Sequence, residues 1–224
     1  MVISDRKPMA EILGFLKDAK KIILVGCNQC AAASKTGGEP ELQEMKALLE
    51  AEGKEVTGIV LPDTACNVLL DKKELKSVKM ELKDVDAILS LACGDGTQTI
   101  TKNVMKQNIP VYPANNTLFI GEIERVGQFS EACKACGECE LGWTGGICPV
   151  TMCAKGLING ACGGAKNGKC EVDSENDCAW VKIYERLKDL DQLDNLLEIR
   201  APKDYSKQLN PRRHKANKKA EAQA

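Results

Sequence analysis

Short apolar runs alternate with amphipathic segments along the first half of the chain. The runs are brief and continuous, as in strands that are buried on both faces of a parallel sheet. Strands are predicted at residues 22–25, 55–61, 86–91 and 109–112. Helices are predicted at residues 8–19, 41–52 and 97–107, and the less regular, charged segment 72–83 is a further helix candidate. This alternation predicts an α/β fold with an open, mostly parallel sheet and flanking helices.

The second half of the chain follows a different pattern. Residues 115–129 fit either a linker or a short hairpin, and a glycine-rich segment with few apolar positions follows them. From Trp180 to Leu197 apolar residues recur every three or four positions, which predicts an amphipathic helix. Its apolar stripe either covers the preceding segment or the sheet, or it binds a partner. From Arg200 onward the chain is basic and poor in apolar residues, which is typical of segments without a fixed structure.

These patterns predict three parts of the chain. Residues 1–126 form the α/β domain, and residues 127–199 form a small cysteine-rich, metal-bound domain that ends in the C-terminal helix. Residues 200–224 form a basic, flexible tail. The tail either wraps around an acidic partner surface or has no role.

Charge and composition exclude several classes of function. The formal net charge is −1 and aromatic residues make up 4% of the chain, which argues against nucleic-acid binding. No apolar run approaches the ~18 residues of a membrane span, and charged residues interrupt the N-terminal segment where a signal peptide needs an apolar stretch. We therefore expect a cytoplasmic protein. The only histidine is His214, in the tail, which leaves no basis for a cysteine–histidine catalytic pair.

Twelve cysteines dominate the candidate chemistry. Four of them follow predicted strands: Cys27, Cys30, Cys66 and Cys93. Because ligands bind at the carboxyl ends of the strands in open α/β sheets, we expect these thiols to share one metal site. Four thiolates are the ligand set of a [4Fe–4S] cluster or of a structural zinc ion. The alternatives are unrelated buried thiols and a redox-active C-x2-C pair.

The other eight cysteines lie within residues 133–178. They are Cys133, Cys136, Cys139, Cys148, Cys153, Cys162, Cys170 and Cys178. The first three form a C-x2-C-x2-C triplet, which fits three corners of a cubane cluster. Structural zinc sites more often use two pairs, and disulfides are rare in the cytoplasm. We predict a [4Fe–4S] cluster on the triplet and a more distant cysteine; the second set fits a cluster or zinc, and the pairing of the remaining cysteines stays open.

Glycines accompany these cysteines. Four of them are predicted to donate backbone N–H groups to sulfur and so tune the cluster potential: Gly94, Gly137, Gly146 and Gly163. Residues 94–97 are predicted as a tight turn into the next helix. Because this segment lacks the third glycine of a dinucleotide fingerprint, no nicotinamide cofactor is predicted.

The cysteine-rich segment also carries a resemblance. The strings CGECELGWTGGICPVTMCAKGLINGACGG, GKCEV and DCAWVKIYERL resemble the C-terminal domain family of methylenetetrahydrofolate reductase, and KKIILVGCNQC is similar to part of the same pattern. The resemblance covers nearly all of residues 8–197 and is most specific in the cysteine-rich part. One departure is Ala161, where the family has proline.

The resemblance implies an electron-transfer subunit without a catalytic site of its own. In acetogenic bacteria the family forms the small iron–sulfur subunit of the reductase. Its partner is a TIM-barrel subunit that holds FMN and reduces methylenetetrahydrofolate to methyltetrahydrofolate. This chain would pass electrons from an upstream donor protein to that flavin through two or three [4Fe–4S] clusters, one of which zinc could replace. FMN and folate binding belong to the partner.

Two other functions compete with this interpretation. One is a zinc-stabilised interaction module without a redox role, which would be colourless. The other is a zinc-thiolate enzyme that transfers a methyl group, and it needs an open coordination position on the metal. Twelve cysteines form three complete sets of four and leave no such position, so this function ranks last.

Overall fold

The structure, a computed structural model, describes residues 1–214. Contacts divide the chain into unit 1, residues 1–130, and unit 2, residues 131–224. The boundary expected from the sequence lies after residue 126. Residues 215–224, the end of the predicted tail, lie outside the described residues, so the flexibility of that end stays a prediction. None of the described helices has the length and apolar character to cross a membrane.

Unit 1 contains most of the regular structure. The strands are β1 Val2–Arg6, β2 Lys21–Val25, β3 Glu55–Val60, β4 Ala87–Ser90, β5 Val111–Pro113, β6 Asn115–Arg125 and β7 Gln128–Cys133, which extends into unit 2. The helices of unit 1 are α1 Met9–Phe15, α2 Cys30–Ala33, α3 Glu39–Ala51, α4 Val68–Glu74 and α5 Gly94–Val104. Unit 2 contains α6 Pro149–Met152 and α7 Ala179–Asp189.

Four strands form the main sheet of unit 1. Their order is β3-β2-β4-β5, and every neighbouring pair is parallel. The central strands β2 and β4 are the most apolar and are almost wholly buried, because helices cover both of their faces. The predicted α/β class, with an open parallel sheet and flanking helices, is confirmed.

The alternating side chains of β2 enter two separate cores. Ile22 and Leu24 pack against residues of α3 and of the α1 region. Ile23 and Val25 pack against α5 and the 3-10 turn 75–78, which follows α4. This division follows from the two-residue period of a strand, and it places α3 on one side of the sheet and α5 on the other.

Two helix predictions needed correction in detail. The predicted turn at residues 94–97 is the first turn of α5, which begins directly after Cys93. The Thr97 hydroxyl donates to the Cys93 carbonyl oxygen, and the Gly94 N–H is satisfied by Thr117, so the helix can begin without a separate turn. The segment predicted at 72–83 instead begins at Val68, where Asn67 caps α4 through the N–H groups of the first turn.

Unit 1 also contains a three-stranded sheet that the sequence pattern did not predict. Its order is β1-β6-β7, and β1 pairs antiparallel with β6. Residues 115–129, left open between a linker and a hairpin, supply β6 and the first two residues of β7, with a turn at Gly127. Strand β1 has only five residues and is half polar, and its partner lies more than 100 residues along the chain, so local pattern does not predict it.

Unit 2 has little regular structure and a small core. Four buried residues form that core: Cys178, Trp180, Ile183 and Leu187. Three of them belong to the predicted apolar stripe, which therefore covers unit 2 itself. The predicted helix is shorter than expected because it ends at Asp189, and the chain turns away at Asp191, which is left-handed with φ of 55°.

Candidate thiolate metal centres

Four cysteines of unit 1 follow the carboxyl ends of the main sheet. Cys27, Cys66 and Cys93 come after β2, β3 and β4, respectively, and Cys30 begins α2. These three strands are parallel, so their carboxyl ends lie at the same edge of the sheet. The placement is the one that open α/β folds use for ligand binding.

These thiols differ in burial and influence one another. Cys27 and Cys93 are buried, whereas Cys66 is exposed. Burial raises the pKa of the Cys66 thiol, and the charge of Asp95 adds to the shift. Cys93 and Cys27 also raise the pKa of the Cys66 thiol. A bound cation would lower the pKa of such a thiol and favour the thiolate.

Glycines allow the loops at this edge to approach closely. A Cβ atom on Gly26 would lie 2.4 Å from the Gly37 carbonyl oxygen, and one on Gly37 would lie 1.9 Å from the Leu91 carbonyl oxygen. A Cβ atom on Gly96 would lie 2.8 Å from the Cβ atom of Ala92. The cysteine-bearing loops therefore pack backbone against backbone, with no space for side chains at these points.

A buried asparagine, which no pattern in the sequence marks, joins two of these loops. The Asn115 Nδ2 donates to the Leu91 carbonyl oxygen at 2.6 Å and to the Thr36 carbonyl oxygen at 3.2 Å. Leu91 lies two residues before Cys93, and Thr36 follows α2, which begins at Cys30. Asn115 is 4% exposed. It is a positioning residue for two of the four cysteines.

In unit 2, four cysteines line one small cavity. They are Cys153, Cys162, Cys170 and Cys178, together with residues of both short helices and the pair Lys155 and Glu171. The cavity has a volume of about 20 Å³, about the space of a single water molecule or ion. The sequence left the grouping of these cysteines open, and the fold brings them around a common space.

The surroundings of this cavity favour a thiolate. The Gly164 N–H donates to the Cys162 Sγ at 3.4 Å. This hydrogen bond lowers the pKa of the Cys162 thiol, and the Lys155 ammonium lowers it further. Cys178 precedes α7 at its N-cap position, where the helix dipole favours negative charge.

The C-x2-C-x2-C triplet lies outside that cavity. The Ala135 N–H donates to the Cys133 Sγ at 3.3 Å, and Ala135 is left-handed with φ of 51°. Cys133 and Cys139 are exposed, and Cys136 and Cys148 are half-buried. Exposed thiols can exchange their contact with water for a bond to a metal ion. The N–H···S hydrogen bond would stabilise such a thiolate ligand.

A lysine from the predicted tail lies beside the triplet. The Lys203 ammonium donates to the Glu138 carbonyl oxygen and, at 3.3 Å, to the Glu140 carboxylate. Burial lowers the pKa of Lys203, but Glu140 and the Cys136 thiol raise it, and the net shift is upward. The side chain of Lys203 is 2% exposed. The first residues of the predicted tail are therefore packed into unit 2, and they bring positive charge near Cys136.

The glycines that were predicted to donate to sulfur have other partners or neighbours. The Gly94 N–H donates to the Thr117 hydroxyl at 2.7 Å, and the Gly146 N–H to the Leu141 carbonyl oxygen at 2.9 Å. Gly137 and Gly163 are left-handed residues directly after Cys136 and Cys162. The N–H groups that donate to sulfur belong to Ala135 and Gly164, each two residues after the cysteine it contacts. The position two residues after a cysteine is therefore a sequence signal from which both donors could have been predicted.

All twelve cysteines are free thiols. Within residues 1–214, no group of three or more His, Cys, Asp or Glu side chains has the geometry to hold a metal ion as it stands. The sulfur atoms would have to move closer together to ligate one. The donor set nevertheless fits thiophilic metals, since soft thiolates select zinc and iron–sulfur clusters.

Comparison with known proteins gives one result. Residues 112–206 match a family model described as "Methylene-tetrahydrofolate reductase C terminal". The match contains β6, β7 and eight of the twelve cysteines, and it begins after the main-sheet cysteines. Neither the curated proteins nor the solved structures include a match to this chain. Residues 112–206, which make up less than half of the chain, are therefore similar to the methylenetetrahydrofolate reductase C-terminal domain family.

Proposed function

We propose that this protein is an iron–sulfur electron-transfer subunit of a methylenetetrahydrofolate reductase complex. The observation that carries the proposal is the placement of eight of the twelve free thiols in two groups of four. One set follows the parallel strands of unit 1, and one lines a common cavity in unit 2. Free thiols in this number are typical of a reducing compartment, and we propose the cytoplasm.

The first proposed centre is a [4Fe–4S] cluster on Cys27, Cys30, Cys66 and Cys93. Such a cluster accepts and releases single electrons. The chain supplies the thiolates and holds two of their loops in place through Asn115. Because Cys66 is exposed and Cys27 and Cys93 are buried, the centre would lie at the surface of unit 1, where a redox partner can approach it.

The second proposed centre is a [4Fe–4S] cluster on the triplet and Cys148. Four of the eight cysteines of this region line the common cavity, which leaves Cys148 as the fourth ligand for Cys133, Cys136 and Cys139. Lys203 and the Ala135 N–H add positive charge and a hydrogen bond near the sulfur atoms. Both raise the reduction potential of a cluster, because they stabilise its more negative, reduced form.

The third set favours a single zinc ion. Cys153, Cys162, Cys170 and Cys178 surround about 20 Å³, which suits one tetrahedral ion much better than a cluster of eight atoms. A zinc ion there would stabilise unit 2 without carrying electrons. The proposed protein therefore holds two clusters and one zinc ion.

The proposed partner is a TIM-barrel subunit that holds FMN and methylenetetrahydrofolate. The family is described as the C-terminal part of a reductase, so the remainder of the reductase is its expected neighbour. Unit 2 has an apolar surface around a cavity of about 480 Å³ lined by Trp143, Tyr184 and Ile199. Ile199 and Leu197 are 89% and 80% exposed. Apolar side chains this exposed are typical of a surface that a permanent partner covers, and we propose that the flavin subunit docks here.

The metal content of the protein tests this proposal. We expect anaerobically purified protein to contain about eight irons, matching sulfide and about one zinc per chain. Cys66→Ser should remove about four irons and leave zinc in place, whereas Cys162→Ser should remove zinc and leave the four irons of unit 1 in place. Each variant serves as the control for the other.

Two results of the metal measurement would overturn the proposal. Zinc without iron in the wild-type protein would assign it instead to the colourless interaction modules. Unchanged iron in Cys66→Ser would remove the cluster from unit 1.

A further inference from the structure

The two sides of the main sheet differ in charge. On one side, α3 carries four glutamates and one lysine. On the other side lie residues 68–83, which include α4, and residues 94–107, which include α5. Together they carry seven exposed lysines against four acids, of which Asp71 is fully buried. The seven are Lys72, Lys73, Lys76, Lys79, Lys83, Lys102 and Lys106, and this surface is called the basic face.

The lysines of the basic face are available to a partner. None of the seven forms an ion pair with any residue in the range 1–214. By contrast, four lysines elsewhere in unit 1 pair with acids: Lys7, Lys17, Lys21 and Lys46. Unpaired, solvated lysines on one surface produce a positive potential that steers an approaching acidic protein.

Three of these lysines share a groove. Lys72, Lys76 and Lys79 line it together with Asn103 and Gln107, and no acidic residue lines it. Its floor is apolar, and its volume is about 260 Å³. The groove therefore offers ammonium donors and the Gln107 amide above a surface for aliphatic carbon, which suits a protruding glutamate or aspartate side chain. The Asn103 amide already donates to Val68 and Asp71.

The basic face lies beside the proposed cluster of unit 1. Helix α4 begins two residues after Cys66, and α5 begins directly after Cys93. Next to Cys66, Leu69 and Leu70 are 78% and 42% exposed. An exposed thiol and a small apolar patch bordered by lysines match the small, charge-steered interfaces of transient electron-transfer complexes.

We propose that the basic face is the docking site for a small acidic electron-transfer protein, which supplies electrons to the centre held by Cys27, Cys30, Cys66 and Cys93. In this step one electron leaves the reduced cluster of the donor and enters the oxidised cluster of unit 1. The donor is oxidised, the unit 1 cluster is reduced, and no bond forms or breaks. The inference rests on the proposed electron-transfer function and names the partner that enters at this surface.

The test measures binding separately from electron transfer. The probe is an acidic bacterial ferredoxin with two [4Fe–4S] clusters, and its association with the full-length, anaerobically purified protein is followed by surface plasmon resonance. We expect an association rate that falls at least ~10-fold between low and near-physiological ionic strength. The triple variant K72Q/K76Q/K79Q should lose a further ~10-fold at low ionic strength.

A matched variant on the opposite side controls for net charge. K17Q/K20Q/K46Q removes the same three charges from the α1–α3 side, and we expect less than ~2-fold change in its association rate. Equal losses in the two variants, or ferredoxin binding without salt dependence, would overturn the proposal. Preferential binding of a short DNA duplex or of anionic vesicles to the basic face would overturn it as well, since the face would then serve another partner.

Reduction by dithionite separates this inference from the proposed function. Part of the cluster absorbance should be lost in Cys66→Ser, and this part reports on unit 1. If dithionite does not bleach it in the wild-type protein, the electron-transfer function of unit 1 fails. The binding experiment still reports on the basic face in that case. If dithionite reduces the cluster but ferredoxin neither binds nor reduces it, the docking inference alone is overturned.

Discussion

Unit 1 and unit 2 hold their cysteines in different ways. In unit 1 the thiols are attached to a sheet with two apolar cores, in which Ile22, Ile23, Leu24 and Val25 are fully buried. In unit 2 the core consists of four buried residues, one of which is a cysteine. Unit 1 therefore carries its candidate ligands on a fold that has its own apolar core. In unit 2 a candidate ligand is itself part of the core.

This difference indicates what metal contributes to each unit. Unit 1 buries enough apolar surface to fold as most small domains do. Unit 2 is comparable to the small domains that need metal because their apolar core is too small. A metal centre in unit 1 would therefore add function, and one in unit 2 would add stability.

The largest expected effect is that of metal removal. After treatment with chelator and oxidant, we expect unit 2 to unfold, because structural metal sites contribute on the order of 10 kcal/mol to such domains. Unit 1 should keep its structure. Hydrogen exchange followed by mass spectrometry checks this: amides of β2 and β4 should stay protected, while those of α7 should exchange at the rate of an unfolded chain.

The thiol variants sharpen the same comparison. Cys162→Ser should speed exchange in α7 and leave β4 unchanged, and Cys66→Ser should alter neither α7 nor the centre of the sheet. Protection of α7 in the metal-free protein would contradict the comparison, because unit 2 would then be stable through its apolar core alone.

The sequence predicted the elements that depend on local pattern. The buried strands of the main sheet, including residues 22–25, have continuous apolar runs because both faces are covered. Strand β1 was missed because its partner β6 lies far along the chain and Ser4–Arg6 are polar. Helix α7 was predicted too long because the leucine spacing continues past Asp189, where the helix ends.

The same distinction between local pattern and tertiary structure applies to the candidate sites. Strand order placed Cys27, Cys66 and Cys93 together, because that inference needs only the rule for parallel sheets. The grouping of Cys162 and Cys178 around one cavity depends on turns without a periodic signal. The role of Asn115 also depends on tertiary structure, since its carbonyl partners lie 24 and 79 residues away.

A smaller effect is expected from a buried carboxylate in unit 1. Asp71 is fully buried, and its Oδ1 has no hydrogen-bond partner among residues 1–214. Burial raises the pKa of Asp71 to about 6, although the hydrogen bond from Asn103 partly opposes the shift. The folded state therefore binds the proton more tightly than the unfolded state, so this group costs stability as the pH rises from about 4 to about 6.

Replacing this carboxylate should stabilise unit 1. We expect Asp71→Asn to unfold with a free energy ~3 kcal/mol higher at pH 7, since a tenfold change in proton affinity is worth about 1.4 kcal/mol. The advantage should be small near pH 4, should grow up to pH 6 and should be constant above. The slowest-exchanging amides of β2, measured at several pH values, report this difference.

Glu74→Gln is the matched control for this carboxylate. It makes the same change in charge on the same helix at a half-exposed position, and we expect it to change stability by less than ~0.5 kcal/mol. A difference between Asp71→Asn and wild type that does not vary with pH would mean that Asp71 is not titrating in the folded protein.

The smallest effect tests whether hydrogen bonds in unit 1 hold the thiol-bearing loops, as metal is expected to do in unit 2. Asn115→Ala leaves the Leu91 and Thr36 carbonyl groups without their donor, which should cost about 1–2 kcal/mol in the same exchange measurement. We expect the lower part of the usual range because the Asn115 Oδ1 has no partner among residues 1–214. The adjacent Asn116 is exposed, so Asn116→Ala should cost less than ~0.5 kcal/mol.

Asn115→Ala should also lower the iron retained by unit 1, since both carbonyls lie close to cysteine loops. Equal stability and iron content in the two variants would show that the loops are held by backbone packing at Gly26 and Gly37 without help from this side chain.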